Sequence, residues 1–223
     1  MMVQKPGTTP LVPGRTNVEV MQARLDDVRD FSVRNMPTLP YHNVAHMYDC
    51  AEMAELLGRK AGLNQTERYL LVTAAYLHDV VYDRNRTDNE EKSAEMAAGI
   101  LPWLGYTPAE IELVKSLIMA TKLPTNPRTK LEMLICDADV ANLGRVDFFD
   151  KTDKLGREQA IEDRLAWYRS VYRFVSGRDF YTEEAKRLWG KQREKNIIEL
   201  QERIAILEQG EVARVAALER ANS

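Results

Sequence analysis

The chain has 223 residues, 44% hydrophobic and 29% charged, enough apolar content for a buried core and too much for intrinsic disorder. A formal net charge of −3 excludes a general electrostatic drive towards duplex nucleic acid or an anionic membrane surface. No uninterrupted apolar run approaches the roughly 20 residues that span a bilayer.

Residues 1–16 carry Pro6, Pro10 and Pro13 with Gly7 and Gly14. They read as a flexible lead-in without the apolar core of a signal peptide, so cytoplasm is the expected location. From Asn17 the pattern turns helical. Val20, Met21, Leu25, Val28 and Phe31 recur at three- and four-residue steps along one face. Pro37 and Pro40 stop that helix, and the next is expected to begin near Tyr41. Three further helix starts have capping-box spacing: Asn64 with Glu67, Asp88 with Glu91, and Thr107 with Glu110.

A helix over about 130–143 is expected to end at Gly144 in a left-handed cap. Two long helices follow, roughly 157–176 and 182–209. The last carries Ile197, Leu200, Ile204 and Leu207 at alternating three- and four-residue steps. Packing on the parent domain is the first reading of that stripe; a short seam joining a homo-oligomer is the second. After Gly210 the apolar phase slips, which sets 210–223 apart as a C-terminal helical tail. The expectation is an all-α helical bundle, a single domain over 17–209 with a long C-terminal helix. Cys50 and Cys136 both lie in apolar helix-like stretches and read as buried reduced thiols.

The chemistry concentrates around three histidines, the only ones in the chain: His42, His46 and His78. Histidine is the usual neutral nitrogen ligand for a divalent metal and the usual acid–base group near neutral pH. His42 and His46 are four apart, so a helix starting near Tyr41 would put both on one face. His78 and Asp79 are adjacent within an apolar helix-like run, where an unpaired aspartate would be costly to bury. The apolar stretch from Leu131 to Cys136 delivers Asp137 and Asp139 in the same way. Together they suggest a mixed nitrogen and oxygen site suited to one divalent ion: Mn, Fe, Co, Zn or, less well, Mg.

The order H, then HD, then D on an all-α chain resembles the HD superfamily of metal-dependent phosphohydrolases. Tyr41-His42-Asn43-Val44-Ala45-His46 is also similar to the Y-H-N-x-x-H motif of cyclic-nucleotide phosphodiesterases, and Cys136 to Asn142 is similar to their C-A-D-L-S-N segment. Tyr82-Asp83 and the run Asp88 to Ala94 look like a group of bacterial HD phosphohydrolases. The resemblance implies metal ligands at His46, His78, Asp79 and Asp139, the last by its position after alanine. It implies a proton-donating role for His42, which would protonate the leaving oxygen of a phosphate ester. The ion would acidify water from a pKa of about 16 towards about 7.

Asp83, read as one turn beyond Asp79, is placed to orient water or a ligand. Lys122, where HD proteins often carry a basic residue, is a candidate phosphate contact. Arg84 and Arg145 flank the predicted site, and Asn43 and Asn142 are hydrogen-bonding groups at its edge. No histidine follows His78, so a second metal is less favoured than one, although Asn89, Glu90 and Glu91 occupy the matching region. Glu91 itself reads first as a helix cap. The expected partner is a small phosphate ester of a nucleotide or other metabolite, with no duplex nucleic acid and no membrane. Rival readings are a cyclic-nucleotide phosphodiesterase, an oxygen-activating di-iron relative and a non-catalytic ligand sensor that keeps the fold.

Overall fold

The computed structural model describes residues 16–221; of the lead-in read over 1–16, residues 1–15 lie outside the described residues, as do 222 and 223. Among the described residues there are nine α-helices and no strand. They are α1 (Asn17–Asn35), α2 (Val44–Lys60), α3 (Gln65–Leu77), α4 (Asn89–Ile100), α5 (Pro108–Ala120), α6 (Lys130–Asp139), α7 (Phe148–Glu158), α8 (Arg164–Ser176) and α9 (Glu183–Ala221). Two compact units divide between Ala141 and Asn142. No helix among the described residues is long and apolar enough to cross a membrane.

The first unit is built around α3. Tyr69 through Ala75 and Leu77 are all buried, so this helix is apolar on every side, as a central helix must be. Helix α2 packs on α3 and α6, α3 also meets α1 and α5, and α4 lies on α5. Local chemistry fixes the helix starts. Thr16, Asn64, Thr107 and Thr129 each accept from the third residue of their helix, whose glutamate reaches back to the cap backbone. Each such cap contributes about 1 kcal/mol. The box expected at Asp88 does not form. Asp88 is drawn instead to Arg86, whose guanidinium donates to both carboxylate oxygens at 2.9 and 2.7 Å, and Glu91 pairs with Lys122. Charged partners outcompete the backbone for both carboxylates. Cys50 and Cys136 are buried thiols outside any disulfide, and Cys136 Sγ donates to Ala120 O at 3.1 Å.

In the second unit α8 and α9 pack together over Phe148, Leu165, Tyr168, Val175, Trp189 and Leu200. The helix expected over 157–176 is interrupted. Ala160 takes φ 53°, and Asp163 caps α8 by accepting from Ala166 N at 2.9 Å. Helix α9 runs through Gly210 without a break to Ala221, with Leu200 fully buried and Ile206 and Val212 exposed.

Gly144 is not the left-handed cap expected of it, since the glycines with positive φ are Gly62 and Gly105. Its smallness answers a close approach: a Cβ there would stand 2.3 Å from Trp189 Cβ and 2.5 Å from the Trp189 carbonyl oxygen. Helix α9 is tied to the same turn by Asn196, whose Nδ2 donates to Leu143 O and Arg145 O at 3.0 and 2.9 Å. Gly144→Ala is therefore expected to cost about 3 kcal/mol of overpacking strain, read as a lower urea midpoint. An unchanged midpoint would mean that Trp189 yields easily.

Candidate metal centre

Three helix ends converge in the first unit. Asn43 starts α2: its Oδ1 accepts from Ala45 N and His46 N at 2.8 and 3.3 Å, and its Nδ2 donates to Leu39 O and Pro40 O. With both ends of its amide engaged by backbone, Asn43 is a cap rather than a free contact for a substrate. His46 follows in the first turn of α2, whereas His42 precedes the helix. The helical pairing expected of these two histidines is thus not how they meet. Helix α3 ends at Leu77, so His78 is its C-cap and Asp79 lies just beyond, not inside a helix as the apolar run suggested. Asp139 is the last residue of α6.

These ends bring His46, His78, Asp79 and Asp139 together, with one candidate ligand atom from each lying within 4.8 Å of all the others. His78 Nε2 stands 3.1 Å from Asp79 Oδ2 and 3.3 Å from Asp139 Oδ1. His46 Nε2 stands 3.4 and 3.2 Å from the same two oxygens. Both Nε2 atoms are buried, and neither makes an aligned hydrogen bond. The tautomer of His78 is set from behind: Nδ1 lies 2.8 Å from Ala75 O, so it carries the proton and leaves the Nε2 lone pair facing the cluster. His46, His78 and Asp79 are buried, while the Asp139 side chain is 24% exposed, which marks the side reached by solvent.

Electrostatics agree with the geometry. Burial lowers the pKa of His46 and of His78, but the carboxylates of Asp79 and Asp139 outweigh it and hold both imidazoles above their usual value, His78 well above. Burial raises Asp79 and Asp139, yet the facing imidazoles hold both carboxyls below the usual range. Two buried carboxylates and two inward nitrogen lone pairs are a donor set that a divalent cation satisfies, taking the place of the protons that otherwise neutralise it. The residues fit one ion.

Several other candidates do not belong to this four-residue group. Asp137 is buried but outside the cluster, which takes Asp139. Asp83 is not one turn beyond Asp79 on a helix, because α3 has already ended. It is exposed, and its Oδ1 accepts from Asn85 N and Nδ2 at 2.9 and 3.2 Å, an Asx turn. Lys122 pairs with Glu91. Arg84 is exposed on the loop between α3 and α4. Asn142 is a buried residue that opens the second unit, and Arg145 there pairs with Asp147 at 2.7 Å. Asn89 is committed to the backbone of Asp83, accepting from its N at 3.0 Å and donating to its O at 3.1 Å.

His42 stands at the edge of the cluster, its Nε2 3.7 Å from Asp79 Oδ2. Two aromatic neighbours belong to the motifs quoted above, although spacing and charge assign them no role there. Tyr41 packs against both His42 and His46, at ring-centroid distances of 4.9 and 4.7 Å. Tyr82 stacks on His42 at 3.6 Å and 18°.

Residues 43–142 match the family model of the HD domain. That segment is an HD domain. Its fold recurs in YpgQ of Bacillus subtilis, solved in complex with ADP: 16% identity and a TM-score of 0.57, over 81% of this chain and 97% of that one. It recurs also in a protein from an uncultured Thermotogales bacterium, described as a predicted HD superfamily hydrolase. There the identity is 18% and the TM-score 0.51, over 85% of this chain and 91% of that one. No curated protein matches the sequence. HD domains bind divalent metal ions, and in this one the His46, His78, Asp79 and Asp139 cluster can hold one.

Proposed function

We propose that this chain is a metal-dependent phosphohydrolase that cleaves a phosphate ester of a nucleotide or another small phosphorylated metabolite. The observation that carries this reading is the compact His46, His78, Asp79 and Asp139 set with a third imidazole, His42, beside it. A divalent ion of Mn, Fe, Co, Zn or Mg would supply Lewis acidity there, neutralising phosphoryl charge and acidifying water.

The protein's own groups have separate tasks. The four clustered residues hold the ion. His42 remains outside that set and delivers its Nε2 proton to the leaving oxygen. Arg84 offers an exposed positive charge to the phosphoryl group, and Lys122 would do so on exchanging Glu91 for it. A single ion is favoured, since Asn89 is taken up by Asp83 and Glu91 by Lys122. Glu90 is the remaining carboxylate in that region; burial, with the nearby charge of Asp79, pushes it towards its neutral form. The ADP seen with YpgQ supports a nucleotide as the substrate class.

Purified protein, stripped of metal and reloaded with each ion in turn, should release phosphate from nucleoside monophosphates or an aryl phosphate. Chelation should remove that release and the added ion restore it. Absence of metal-stimulated release from every ester would sink the reading, and ligand binding without turnover would turn it into that of a sensor. The Y-H-N-x-x-H stretch over residues 41–46 favours a second reading, a cyclic-nucleotide phosphodiesterase. It takes precedence if a cyclic diester is cleaved faster than a monoester.

A further inference from the structure

His42 lies in the bend before α2, so no helix fixes its side chain. Something else must hold its ring. The loop after the His78-Asp79 pair is fastened on both sides of Tyr82. Val81 N donates to Ser93 Oγ at 3.1 Å, and that hydroxyl donates to Val81 O at 3.2 Å. Asp83 N donates to Asn89 Oδ1 at 3.0 Å, and Asn89 Nδ2 donates to Asp83 O at 3.1 Å. Ser93 and Asn89 are both buried on α4. This clamp accounts for an aspect of the Asp88–Ala94 run that the metal cluster leaves unexplained. It presents the Tyr82 ring flat on the imidazole of His42, with centroids 3.6 Å apart, while Tyr41 meets the same imidazole edge-on at 4.9 Å and 82°.

We infer that Tyr82 is a positioning residue for His42: held by Ser93 and Asn89, it fixes the imidazole plane so that Nε2 faces the Asp79 side of the cluster. This rests on the phosphohydrolase reading for its kinetic consequence, but not for its structural one. A ring free to rotate would spend little time with Nε2 directed at a substrate oxygen, and small misplacements of a reacting group cost up to about a hundredfold in rate.

The test compares wild type with Tyr82→Leu, which removes the aromatic face, and Tyr82→Phe, which restores it. With three histidines in the chain, the imidazole Hε1 resonances of the metal-loaded protein can be assigned by a His42→Gln sample. The His42 signal should lie upfield in wild type because a ring current acts on it, stay there in Tyr82→Phe and move downfield in Tyr82→Leu. The signals of His46 and His78 should not follow. In Tyr82→Leu, kcat should fall by about tenfold or more, with KM and metal affinity changed less than about threefold, and Tyr82→Phe should recover most of the loss. An unshifted His42 signal in wild type overturns the inference, as does unaltered kcat in Tyr82→Leu. So does a kcat loss matched by loss of metal, which is the mark of a merely structural role. If wild type hydrolyses none of the esters, the functional reading fails by itself, and the resonance alone decides whether Tyr82 fixes the ring.

Discussion

Asp79→Ala is expected to abolish metal binding and, with it, all metal-stimulated turnover. The reason is charge. Asp79 and Asp139 are the two carboxylates that face the His46 and His78 nitrogens, so a divalent ion among them is neutralised by two negative charges. Removing one leaves a net positive charge in a buried place, which costs several kcal/mol or more, and several kcal/mol is a thousandfold or so in affinity. Metal content after dialysis is the direct measurement, with far-UV circular dichroism to show that the helices persist. Asp139→Asn should lose the ion in the same way. Asp137→Asn should keep it, because the Asp137 carboxylate lies outside the cluster. Full occupancy in Asp79→Ala, or loss in Asp137→Asn with retention in Asp139→Asn, would contradict this ligand set.

The sequence alone displayed the helices well where their signals are local. Asn64 and Thr107 find their partners three residues on, and a capping box requires nothing from the rest of the fold. Asp88 has the same spacing and fails, since Arg86 and Lys122 bring competing charges. Lys122 is 31 residues from Glu91, and no local pattern reveals such a partner. Gly144 illustrates another limit: its glycine is required by Trp189, which lies in α9 beyond both α7 and α8, rather than by its own backbone angles. At the site, the histidines and aspartates could be picked out by their chemistry, because buried charge without a partner is costly wherever it occurs. The exact arrangement could not. The four-residue spacing puts His42 on a helix that in fact starts after it, and the apolar run carries α3 on to Asp83, which lies in a turn. Tyr82 carries no charge and has no periodic signature, so only the packed structure shows it against His42.

His42→Ala is expected to keep the ion and lose most of the turnover, a division that no ligand substitution would produce. His42 Nε2 is 3.7 Å from Asp79 Oδ2, too long for a hydrogen bond, and His42 does not belong to the four-residue group that can hold a metal. Its removal therefore leaves the donors of the ion complete. What it removes is a proton source, and loss of a general acid costs about a hundredfold or more in kcat. The size of that loss should depend on the leaving group. An alkoxide such as a ribose oxygen is a poor leaving group and departs only when protonated, so nucleoside monophosphates should suffer the full effect. A nitrophenolate leaves readily without a proton, and hydrolysis of its phosphate ester should be nearly unaffected. Equal losses on both esters would mean that His42 orients the substrate instead of protonating it. Metal missing from purified His42→Ala would make it a fifth ligand, and the division of labour between the three histidines would have to be redrawn.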